Sequence, residues 1–231
     1  MNDPKIVSVR IGFSNVVLIV NGIQSVLIDT GVHGYANRIK ILLKEHNLTI
    51  GDIKLIVLTH THYDHTGNLK LLAKLSGAKV LVHKNEYENL KKGFIPIPLG
   101  HGRYSSLISK IGRTMWPGYA SPKPYSADLI NNQEFDLVEY GINGKIISTP
   151  GHTNGSQSVL VGKNLIAGDT FLNMKNGKVF PPFAEDPKTL LETWRMLFKM
   201  DISTVYPGHG PRFNIDSAWP DFRQWSERVK E

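Results

Sequence analysis

Residues 53–65 read Ile53-Lys54-Leu55-Ile56-Val57-Leu58-Thr59-His60-Thr61-His62-Tyr63-Asp64-His65. The first six are apolar except for Lys54, which predicts a buried strand over 53–58. Directly after it come three imidazoles and a carboxylate within six positions, at the carboxyl end of that strand. Side chains alternate along an extended segment, so His60 and His62 point the same way and can share one metal ion. Asp64 and His65 begin the next turn and can face a second. Singly, such residues have ordinary explanations: a lone histidine is a hydrogen-bonded side chain, and an aspartate before a helix is a cap. Four together point to a metal site.

Outward from this stretch, 6–11, 15–20 and 24–29 are rich in Val and Ile with Gly or Asn at their joins, which predicts three strands, with Asn21-Gly22 as a hairpin turn. Apolar spacing predicts helices over 35–45 and 68–75, a strand over 79–83 and a short helix over 85–90. The middle of the chain reads as irregular. Strands are expected again over 145–148, 156–162 and 164–168. A helix follows over 187–200, with Leu190, Leu191, Trp194, Leu197 and Phe198 on one side, and then a strand over 202–206. Hairpins and helices are mixed rather than strictly alternating, which favours an α/β chain of two sheets with outer helices over a doubly wound parallel sheet.

The chain has 231 residues, the size of one packed domain, expected over 1–231. At 41% hydrophobic and 20% charged it is neither a disordered tail nor a coiled coil. The net charge of +7 attracts anions without choosing among them. There is no cysteine, which excludes disulfides, thiolate zinc ribbons and thiol nucleophiles. The longest apolar run, 16–20, is far too short for a bilayer span. The residues after Met1 lack the apolar core of a secretion signal, so a cytoplasmic protein with no membrane partner is expected.

Three further segments each carry one candidate ligand beside glycine: Gly151-His152-Thr153, Gly168-Asp169-Thr170 and Gly208-His209-Gly210. Glycine lets a backbone approach closely and turn sharply, as loops converging on metal ions require. With the His60 to His65 cluster and Ile28-Asp29-Thr30-Gly31, these motifs resemble the metallo-β-lactamase superfamily, in the family's order, over about residues 16–211. The resemblance implies a four-layered αββα sandwich. It implies that His60, His62 and His152 hold one metal ion, that Asp64, His65 and His209 hold another, and that Asp169 bridges them. Asp29 then corresponds to a structural aspartate that steadies the ligand loops. The implied cofactors are two divalent ions, zinc first, with iron or manganese as alternatives.

Two such ions can share a water whose pKa falls toward neutrality, and the resulting hydroxide attacks a carbonyl or phosphorus centre. The expected activity is therefore a metal-dependent hydrolase of ester, thioester or lactone carbonyls, in which Asp64 also orients the hydroxide or relays a proton. Thr61, Thr153 and Thr170 are candidate supports for the ligands. An aspartate at 169 is unlike the β-lactamases, which usually carry Cys or Ser there. The later motifs look more like glyoxalase II relatives and lactonases. Yet the chain ends soon after His209, where glyoxalase II continues into a helical region, and Leu172 stands where lactonases often have tyrosine. A single-iron persulfide dioxygenase is the main alternative. A phosphodiesterase or nuclease is a weaker one, because no RNA-binding arm or large inserted domain is evident.

Between residues 89 and 127 the chain has no acidic residue but carries Lys91, Lys92, Arg103, Lys110, Arg113 and Lys123, interleaved with aromatics. This segment is expected to serve either as a lid or as a homodimer contact. As a lid, it would shape a pocket for a small-molecule substrate with an apolar body and an anionic group, touched by Trp116, Tyr119 and Arg113. A nucleic-acid partner is not expected.

Overall fold

The structure, a computed structural model, describes residues 4–95, 97, 100, 103–115, 118, 121–174 and 177–229. β1 (Lys5–Ile11), β2 (Ser14–Asn21) and β3 (Gln24–Ile28) form an antiparallel meander. β3 then pairs in parallel with β4 (Ile53–Val57), followed by β5 (Lys79–His83) and β6 (Leu129–Asn131), completing a six-stranded sheet in sequence order. The second six-stranded sheet holds β7 (Glu134–Asp136), β8 (Gly144–Ser148), β9 (Gln157–Val161), β10 (Asn164–Leu172), β11 (Thr204–His209) and β12 (Phe213–Asn214), in the order β12-β11-β10-β9-β8-β7. Its pairs are antiparallel except for β10 with β11.

Alternation along the strands explains the layering. In β2, Val16 and Leu18 join an outer core, while Val17 and Ile19 join a central one. β4 divides in the same way, Ile53 and Ile56 outward and Leu55 and Val57 inward, as does β10, Leu165 outward and Ile166 inward. Strands apolar on both faces must be covered on both faces. On the first sheet the outer cover includes α1 (Ala36–Glu45), which buries Ile39, Leu42 and Leu43. After the single turn α2 (Tyr63–Thr66), α3 (Leu69–Ser76) adds Leu69 and Leu72 to that cover, and α4 (Lys84–Lys92) adds Leu90. α5 (Arg103–Met115) follows. The second sheet is covered by α6 (Pro187–Leu197), which buries Leu190, Leu191, Trp194 and Leu197 as its spacing predicts, and by α7 (Trp219–Arg228). Helix, sheet, sheet and helix make the expected four-layered αββα sandwich.

Several elements depart from the sequence reading. α5, β6 and β7 lie in the stretch read as irregular, and α7 follows the last predicted strand. β10 does not stop at 168: Gly168 takes φ +53 at a shift of register, and the strand runs on to Leu172. The bulge kinks the chain without ending it. No helix among the described residues is long and apolar enough to cross a membrane.

Candidate metal centre

All the candidate ligands converge at one rim of the two sheets. Beyond β4 the chain stays extended through His62 (φ −61, ψ 149) and then turns into α2, which carries Asp64 and His65. Asp29, directly after β3 and 2% exposed, sits in the left-handed region at φ 61. Its carboxylate accepts from Thr59 N at 2.8 Å, Thr59 Oγ1 at 2.7 Å and His65 Nδ1 at 2.8 Å. It therefore ties Thr59, just ahead of the first candidate ligand, to the candidate ligand His65 on α2.

The second sheet supplies His152 from the β8–β9 connection, Asp169 just past the β10 bulge, and His209 at the end of β11. A Cβ at Gly208 would collide with Asp169 Oδ1, so the bare backbone there makes room for the carboxylate. Gln157 joins the two halves. Its backbone N–H donates to Thr59 O at 2.9 Å and its side chain to Leu58 O at 2.7 Å.

The donor atoms fall into overlapping groups, His60 with His62 and His152, Asp64 with His65 and His209, and His60 with His65 and Asp169, each within 4.8 Å. His62 Nδ1 lies 3.1 Å from His152 Nε2. Asp169 Oδ1 lies 3.3 Å from His65 Nε2 and 3.4 Å from His209 Nε2, while its Oδ2 lies 3.6 Å from His152 Nε2. Asp64 Oδ2 is 3.3 Å from His209 Nε2. Donors bound tetrahedrally to one zinc ion stand about 3.4 Å apart. His60 Nε2, His62 Nε2, His65 Nε2 and Asp169 Oδ1 are buried without a hydrogen-bond partner, an arrangement that costs free energy unless something else satisfies them. The donor set fits divalent metal ions.

Contacts behind the rings fix which nitrogen faces inward. Nδ1 of His152 meets Phe183 O at 3.0 Å, Nδ1 of His209 meets Phe13 O at 2.8 Å, and Nδ1 of His60 meets Thr59 Oγ1 at 3.1 Å. With Nδ1–H donating outward, each ring in its neutral form turns the Nε2 lone pair to the centre. Phe183 also pairs with Gly100 in an isolated antiparallel bridge.

The proton affinities split. Burial lowers His60, His62 and His152, the last to about 4. Burial opposes charge on His65 and His209 too, but there carboxylates outweigh it, chiefly Asp169. His65 stands well above the ordinary imidazole value and His209 at about 10. Reciprocally, these imidazoles overcome burial to hold Asp169 well below, and Asp64 below, the usual carboxylate range.

Above the donors opens a cavity of about 740 Å³, bounded by Phe13, Tyr63, Leu172, Met174 and Pro181 to Phe183, and by Ile97, Ile108, Ile111 and Gly112 of the 89–127 segment. That segment thus reaches the site. Trp116 and Tyr119 lie outside the described residues. Arg113 is exposed on α5 and is not among the residues that line the cavity, which take the Ile108, Ile111 and Gly112 face of the helix. None of the three threonines expected as supports bonds to a candidate ligand side chain among the described contacts: Thr61 bonds to Glu86, Thr153 to Ser156 and Thr170 to Thr149. The supports missed by the sequence reading are Thr59, Gln157 and the carbonyls of Phe13 and Phe183, isolated positions with no local motif to mark them.

The family model described as the metallo-beta-lactamase superfamily matches residues 9–209. The probable metallo-hydrolase MJ0888 of Methanocaldococcus jannaschii is 31% identical over 205 residues, which are 86% of this chain and 89% of that protein. A hydroxyacylglutathione hydrolase of Shewanella pealeana is 28% identical over 130 residues, 56% of this chain and 37% of that one. Among solved structures, the archaeal superfamily protein ST1585 from Sulfolobus tokodaii superposes with a TM-score of 0.66 at 23% identity, covering 97% of this chain and 86% of that chain. TTHA1623 in a di-iron-bound form does so with a TM-score of 0.66 at 24% identity, covering 93% and 96%. This chain belongs to the metallo-beta-lactamase superfamily.

Proposed function

We propose that the protein is a metal-dependent hydrolase of ester, thioester or lactone carbonyls, with His60, His62 and His152 holding one divalent ion, Asp64, His65 and His209 a second, and Asp169 between them. The observation that carries this reading is the Asp169 carboxylate, one oxygen facing His65 and His209 and the other facing His152. Ions held there would supply a hydroxide at neutral pH and positive charge against the oxyanion that develops on the carbonyl. The chain's own groups do the rest. Asp29, Phe13 and Phe183 hold the ligand rings in the tautomer that presents Nε2. Asp64, which lines the cavity, takes up the proton released on attack and returns it to the leaving oxygen or sulfur.

The similarity to a hydroxyacylglutathione hydrolase supports acyl transfer to water and keeps thioesters among the substrates to be tried. The test is elemental analysis of protein purified without chelator, followed by assays of a simple ester, a thioester and a lactone before and after metal removal. Two ions per chain, with hydrolysis lost on stripping and restored on reloading, is the expected result. A single iron with oxygen consumption on a persulfide would overturn it in favour of a dioxygenase.

A further inference from the structure

The cavity is polar at one end only. Its floor holds His62, Asp64, His152, Asp169 and His209, with Tyr63 beside them; the rest of the described lining is aliphatic, aromatic or proline. No lysine or arginine lies among the described lining residues, although the 89–127 segment that supplies part of the wall is basic. α5 buries Ser105 and Ser109 and turns Ile108 and Ile111 toward the cavity, where they remain 50% and 46% exposed. Exposed Leu107 and Met115 extend the same apolar stripe along the helix. A helix that keeps serines inside and isoleucines half wet leaves apolar area for a ligand to cover.

Resting on the hydrolase reading, we propose that the cavity is an acyl-chain site: the substrate is an uncharged ester or lactone whose hydrocarbon chain lies against Ile97, Ile108, Ile111, Leu172 and Met174. An anionic chain or carrier along that wall would give up its hydration with no lysine or arginine among the described lining residues to replace it. The polar end of the substrate lies at the floor, within reach of the ligand set and of Tyr63. In the reaction, water adds across the acyl carbon–oxygen bond. Its oxygen bonds to the carbonyl carbon, one proton goes to the departing alkoxide, and the acid product loses its own proton to solvent. The proposal thus favours a neutral substrate where the sequence led us to expect an anionic one.

The test compares p-nitrophenyl butyrate, octanoate and hemisuccinate on the metal-loaded enzyme. Each methylene fully buried raises kcat/KM about fourfold, and octanoate has four more than butyrate, so burial of even half of them should favour octanoate by about tenfold or more, with hemisuccinate the slowest. Ile111→Asp charges the wall and Gly112→Leu fills it; both should bring the octanoate-to-butyrate ratio toward unity. Equal rates for the two chains, or preference for the hemisuccinate, would overturn the proposal. A second readout needs no turnover and no variant. The neutral fluorophore N-phenylnaphthylamine should bind the protein as purified and be displaced by octanamide at least about tenfold more effectively than by butyramide. Displacement with that preference, but no hydrolysis of any ester, would uphold the chain site and sink the hydrolase reading. Hydrolysis without chain-length dependence would do the reverse.

Discussion

The two donor sets are built from nearby residues yet hold protons oppositely. His60, His62 and His152 are imidazoles whose burial drives the proton off. His65 is as enclosed and His209 is partly exposed, but Asp64 and Asp169 lie within 3.3–3.7 Å of both and hold the proton on. In the absence of metal, that proton is the cation the carboxylates demand. The first set is therefore ready for an ion at neutral pH, whereas the second must exchange a proton for one.

The largest test of this contrast removes what the sets share. Asp169→Ala should lower kcat/KM for ester hydrolysis by about a thousandfold or more, and a loss of only a few-fold would show that the sets work independently. Next, His152→Ala and His209→Ala should each cost about one bound ion per chain by elemental analysis, and complete loss of metal in either would merge the sets into one. Asp29→Asn, acting through His65 Nδ1, should weaken metal binding by about 10- to 100-fold, mainly in the carboxylate-rich set, as read by chelator competition. The smallest effect is on pH. His209, with its pKa near 10, keeps its proton from about pH 6.5 to about 7.5, so over that unit the proton it gives up should by itself tighten metal binding to its set about tenfold as pH rises. The three-imidazole set, with His152 near 4, should change little. Calorimetry in buffers of different ionisation heat would count the protons released, and equal release from both sets would end the distinction.

Much of this was legible in the sequence where the local pattern and the tertiary role coincide. β2, β4 and α6 show their packing in their own apolar spacing, and the ligand motifs announce themselves because clustered imidazoles have few other uses. α5 was not legible, since its apolar residues face an open cavity and its buried positions include serine. β6 and β7, three residues each, are too short to show a period. Thr59 and Gln157 meet only once the two sheets are stacked, 98 positions apart in the chain, and a single polar side chain carries no sign of so distant a partner.

Residue 183 joins regions usually considered separately. Its carbonyl meets the His152 ring, the residue lines the cavity, and its backbone pairs with Gly100. The support of a candidate metal-facing ring and the wall that a substrate would meet therefore rest on one residue. A substitution that displaces Phe183 should disturb ion binding and substrate fit together, so the two losses cannot be separated at this position.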